Sequence, residues 1–186
     1  MIYQDIWLNG KLIKQGIREC ASRYEIIYNH CRDNKPKSVL DIGANMSYFG
    51  LRLIEDFGCS VIAFEFDHFD LRMEHVKANK TNRLLLLNKK LSLPYLEILK
   101  DCCQFDLVLA MSILHHLPGN SNKWIEAIRQ LGDNVIMEFA MEDSKRVAKK
   151  KDYSIPQDAV ILGYGDSHLK EDILRPIILL KNNNRR

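Results

Sequence analysis

The chain has 186 residues, 46% of them hydrophobic, with 27 Lys and Arg against 24 Asp and Glu. That length suits one domain with its own core, and a net charge of +3 falls well short of the basic footprint of a dedicated nucleic-acid binder. Cys20, Cys31, Cys59, Cys102 and Cys103 give neither a disulfide framework nor a C-x-x-C metal pair, and no basic-then-apolar leader or long apolar run is present, so a reducing cytoplasm is the expected compartment.

In chain order, Ile6-Trp7-Leu8 and Leu12-Ile13 flank Asn9-Gly10, the favoured pair for a two-residue type I′ turn, so a hairpin is expected. Ile17, Cys20, Ala21, Tyr24, Ile27 and Cys31 recur at helical spacing and predict a helix over 17–31. Residues 1–35 would then form a hairpin and helix preceding the core. Strand and helix alternate afterwards: strands at 38–42, 60–65, 83–87, 105–110 and 134–138, with helices near 48–56, 70–80, 93–99 and 123–131. Such alternation implies a doubly wound α/β fold with a mostly parallel sheet. Two further strands, 159–164 and 176–180, are joined through Gly165-Asp166-Ser167-His168, and the tail 182–186 is expected to be disordered.

The run Ser38 to Phe49 carries the chemistry. A strand ends at Asp41-Ile42-Gly43, a helix follows, and the next strand ends at Glu65, at roughly the 20-residue spacing of a ribose-binding acid. Ligands of such units sit beyond the carboxyl ends of the strands. The pyrophosphate fingerprint G-x-G-x-x-G fails, because Asn45 and Tyr48 stand where its second and third glycines belong. Read without a ligand, Asp41 and Glu65 would be strand ends and Gly43 a turn residue.

These residues resemble motif I of the class I S-adenosylmethionine (SAM)-dependent methyltransferases. The resemblance covers roughly 36–181 and implies a seven-stranded sheet with an antiparallel C-terminal edge pair, binding SAM. Asp41 and Gly43 would flank its methionine half, with Ala44, Asn45, Ser47 and Phe49 in the same segment. Glu65 would take the ribose hydroxyls beside Phe66, and Asn88 and Leu91 would contribute to adenine contact. Ala110, Met111 and Ser112, at the end of the fourth core strand, match motif IV beside the cofactor. One departure stands out: Ser47 occupies the place of a further glycine, where its Cβ crowds the methionine moiety or strains the backbone if φ is positive.

Three residues are candidate catalytic groups. His115 and His116 follow motif IV, and an imidazole suits removal of a proton from an acceptor hydroxyl; adjacent positions are expected to point apart, leaving one facing the site. Glu138, ending the fifth core strand, is a second base or substrate anchor, or a plain strand end. With no i, i+4 histidine pair, a metal role for these three is weak. Arg18 and Arg23 suit anion capture, but a solvated helix face is the simpler expectation. The lysines from Lys145 to Lys151 could steer an anionic acceptor or form a solvated loop.

The resemblance implies O-methylation of a small or glycan-like acceptor, similar to methyltransferase domains that modify bacterial surface polysaccharides. Two alternatives stay open: an RNA or protein methyltransferase, and a methyltransferase-like scaffold without turnover. Oligomeric state is undetermined by the sequence.

Overall fold

A computed structural model describes residues 2–140, 154–167 and 173–182. The chain divides into two compact units, Met1–Lys90 and Leu91–Arg186.

The first unit opens with strands β1 (Ile6–Leu8) and β2 (Lys11–Lys14), paired antiparallel. Asn9 and Gly10 take φ of 47° and 80°, as the type I′ turn demands. Trp7 Nε1 donates to Glu55, and Asn9 N donates to Asn79 Oδ1, which fastens the hairpin to the helices that follow. Helix α1 spans Ala21–Asn34, four residues later than the periodicity predicts. The delay has a tertiary cause. The Asp5 carboxylate accepts the N–H groups of Gly16 and Cys20, and Ile17 and Arg18 donate to the carbonyls of Ile2 and Tyr3. A Cβ on Gly16 would lie 2.4 Å from the Gln4 carbonyl carbon, so this close pairing requires glycine there.

Strands β3 (Ser38–Ile42), β4 (Ser60–Glu65) and β5 (Leu84–Asn88) pair in parallel, in the order β5-β4-β3. Val39, Leu40 and Ile42 are wholly buried, as near-continuous apolar strands of a covered parallel sheet should be. Helix α2 (Tyr48–Phe57) lies close on them through Gly50, whose hypothetical Cβ would sit 3.1 Å from Val61 Cγ1. Gly58, at φ 67°, ends the helix and donates to Ile54 O. Helix α3 spans Phe69–Ala78.

The second unit contains α4 (Leu93–Cys102), β6 (Phe105–Met111), a single 3₁₀ turn at Leu114–His116, α5 (Ser121–Arg129), β7 (Gly132–Glu138), β8 (Val160–Asp166) and β9 (Leu174–Lys181). The Asn120 side chain caps α5 by accepting from Asn122 and Lys123. Strand β6 pairs parallel with β7, while β9 lies antiparallel between β7 and β8. The seven strands, helices between them and an antiparallel C-terminal pair are the mixed α/β class that the sequence implies. The lysine run Lys145–Lys151 and His168 lie outside the described residues, as does the tail beyond Asn182. Among the described residues no helix is long and apolar enough to cross a membrane.

Candidate cofactor site

In the first unit, β3 and β4 end side by side, with Ile42 opposite Phe64. The chain then turns sharply. Gly43 and Ala44 both donate to Phe64 O, at 2.9 and 3.1 Å, and Ser47 N donates to Ala44 O at 2.8 Å. Gly43, Asn45 and Ser47 take φ of 71°, 51° and 57°. Of the two outcomes open for Ser47, crowding of the ligand or a positive φ, the structure has the positive φ, which costs a non-glycine residue about 1–3 kcal/mol.

Glu65 faces this turn. Its Oε2 accepts the Asn45 N–H at 3.0 Å, and its Oε1 accepts those of Phe66 and Asp67 at 2.8 and 3.0 Å. Arg72 Nη1 lies 2.8 Å from the same Oε1, and both side chains are buried. Oε1 is therefore committed to the protein, whereas Oε2 accepts one hydrogen bond among the described residues and keeps acceptor capacity. Phe66 beside it is 52% exposed, with Lys90 Nζ 5.7 Å from its ring centroid. Asn88, exposed on β5, is in register with Glu65.

Asp41 is fully enclosed. Its Oδ2 and the buried Ser47 Oγ find no hydrogen-bond partner among the described residues. Burial, and then the Glu65 charge, push the Asp41 pKa up to about 7. A hydroxyl-bearing ligand fits the spare acceptor capacity at Oε2, while Asp41 and Ser47, at 1% and 0% exposure, lie behind the turn. Phe49 packs differently, 1% exposed, edge-to-face with Tyr48 and 5.2 Å below the Arg23 guanidinium.

The solvated-helix expectation for the two arginines is overturned, since Arg18 and Arg23 are each 2% exposed. Arg18 precedes α1 and is held by the pairing of Gln4 with it. Nothing in the sequence singles out Gln4, yet its Oε1 accepts the Met46 N–H at 3.1 Å. Arg72 was also missed, although a basic residue one turn into the helix after a strand-ending acid is a readable signal.

In the second unit, Ala110, Met111 and Ser112 are buried at the end of β6, and Leu91 is half-buried ahead of α4. Ser112 Oγ donates to Glu138 Oε2 at 2.5 Å and accepts from Arg175 Nη1 at 3.0 Å. Glu138 is 0% exposed, so it is not a solvent-facing strand end. His115 and His116 do not point apart: their ring centroids are 4.0 Å from one another, because both lie in the tight 3₁₀ turn.

No family model matches the chain, and no curated protein matches its sequence. Solved structures do. The bifunctional kinase-methyltransferase WbdD superposes with a TM-score of 0.79 at 23% identity, covering 97% of this chain and 44% of that one. This chain thus spans less than half the length of the WbdD chain. The N-terminal domain of EvdMO1, solved in the presence of SAH and D-fucose, gives 0.65 at 12% identity over 97% of this chain and 91% of that one. A putative O-methyltransferase from Klebsiella pneumoniae gives 0.61 at 16%, covering 88% and 80%. These likenesses are of fold, and the chain has the fold of the class I SAM-dependent methyltransferases.

Proposed function

We propose that the chain is a SAM-dependent O-methyltransferase whose acceptor is a hydroxyl of a sugar or glycan. The observation that carries the cofactor half is the Glu65 carboxylate, held against the positive-φ turn by Asn45 N with Oε2 acceptor capacity to spare. One carboxylate oxygen can accept from a ribose hydroxyl. We assign Asp41 and Ser47, at the two ends of the turn, to shaping it from behind at the methionyl end, since both are buried. Gln4, through Met46, fixes the far side of the turn. Phe66, Asn88 and Leu91 are assigned to the adenine.

SAM, when bound, supplies a methyl group on a sulfonium. The protein's own task is alignment of the acceptor oxygen and removal of its proton. Alignment can contribute ~7–11 kcal/mol, against ~3–5 kcal/mol for a positioned base. The imidazoles of His115 and His116, 4.0 Å apart, are the groups we assign to that base, and Ala110 and Met111 we assign to the cofactor. The sugar assignment is supported by the EvdMO1 domain solved in the presence of SAH and D-fucose. We assign residues 1–35 to the acceptor side and 36–181 to the cofactor core.

The test is calorimetry with S-adenosylhomocysteine (SAH) on the wild-type chain and on Glu65→Ala, followed by SAM turnover with D-fucose and oligosaccharide acceptors. Micromolar binding that falls at least tenfold in the variant is expected. Absence of binding to the wild type would sink the assignment.

A further inference from the structure

Ser112 is a non-glycine residue at φ 55°, immediately after β6. Such a conformation persists only where its surroundings over-determine it. Here they do so through the hydroxyl, which donates to Glu138 Oε2 at 2.5 Å and accepts from Arg175 Nη1 at 3.0 Å. The first bond has the length of a charge-assisted one. The partners come from rigid elements: Glu138 ends β7 in register with Met111 of β6, and Phe139 N donates to Pro176 O next to Arg175 on β9. Glu138 and Arg175 are 0% and 1% exposed, so neither reaches an acceptor arriving from solvent. Beyond Ser112 the chain enters the turn that carries both imidazoles, closed by His116 N donating to Ile113 O at 2.9 Å. The backbone angle at Ser112 therefore aims that turn.

We propose that Ser112, Glu138 and Arg175 form a positioning relay for the segment bearing His115 and His116, in which Glu138 holds Ser112 instead of taking a proton from the acceptor. The inference deepens the proposed function, resting on its assignment of the imidazoles as base. Glycine would adopt the Ser112 backbone without strain but without the lock. Serine holds it by both hydrogen-bonding directions of one hydroxyl.

Amide hydrogen exchange of the full chain, without ligand, reads the relay directly. In Ser112→Gly, exchange at Ile113–Leu117 is expected to rise at least tenfold while the 43–47 turn stays within twofold of wild type. In Glu138→Gln, which keeps the shape and a neutral acceptor for the hydroxyl, the rise at Ile113–Leu117 is expected to be at least threefold. Unchanged exchange at Ile113–Leu117 in either variant overturns the proposal. So does an equal loss of protection at 43–47 and 113–117, which marks a merely structural contact. Because neither cofactor nor acceptor is needed, failure of the relay and failure of SAH binding are separately visible.

Discussion

Arg72 Nη1 lies 2.8 Å from Glu65 Oε1, and through that contact helix α3 sets the direction of the carboxylate that ends β4. Both side chains are buried, with 8% and 9% exposure. Removing one member of such a pair strands the other charge, at about 3–5 kcal/mol. Arg72→Met is therefore expected to lower stability by ~3 kcal/mol and to weaken SAH binding at least tenfold, by denaturant titration and calorimetry respectively. Stability loss with unaltered affinity would show that Glu65 does not need Arg72 for its orientation.

Ser47 sits at φ 57° with its hydroxyl buried and, among the described residues, unpartnered. Ser47→Gly removes the left-handed penalty and the orphan hydroxyl together. We expect a gain of ~1 kcal/mol, seen as a rise of about 2–4 °C in melting temperature for a chain of this size. SAH binding should be at least as tight. A fall in melting temperature would mean that the hydroxyl has a partner.

Asp41 carries the clearest pH signature. Its pKa is pushed up to about 7 by burial and by Glu65. The folded state therefore holds this proton to higher pH than the unfolded chain, whose Asp titrates near ~4. The associated stability is fully present below about pH 4 and is lost as pH rises through about 7, by up to ~4 kcal/mol. Asp41→Asn, which cannot ionise, should melt higher than wild type at pH 8 and converge with it below about pH 4. A constant offset across that window would contradict the assignment.

Thiol reactivity should split the five cysteines. Burial pushes Cys20 and Cys59 up to about 11 and Cys31 up to about 12, whereas Cys102 is exposed. Thiolate is the reactive form. Iodoacetamide at pH 8 is expected to modify Cys102 first, then Cys103, and to spare the other three until the protein unfolds, as peptide mass mapping would record. Early labelling of Cys31 would contradict the enclosed α1 face.

Much of this architecture is legible because it is local. Asn9-Gly10 dictates its turn from backbone preference alone, and the apolar runs of β3, β4, β6 and β7 need no knowledge of their neighbours. That Ser47 stands where a related turn favours glycine is also legible, though the sequence leaves open whether crowding or a positive φ results. What escapes is long-range. Helical periodicity reaches back to Ile17, but Asp5 captures the amides of Gly16 and Cys20 and keeps that stretch out of α1. The same capture buries Arg18. Arg175 meets Ser112 from 63 positions away, a pairing that no window of sequence contains. The two imidazoles lie together because a 3₁₀ turn, shorter than any periodicity can register, replaces the divergence expected of neighbours.

The placement of β9 between β7 and β8 also imposes an order of assembly. Strand β8 emerges earlier along the chain, with Val160, Ile161 and Tyr164 half or more exposed, and among the described strands it pairs with β9 alone. Until Leu174–Lys181 docks, one edge of β7 and all of β8 offer open backbone to any other chain at hand. Crowded refolding should therefore go astray at this step first, and substitutions in β9 should govern the yield of folded protein more than those in any peripheral strand.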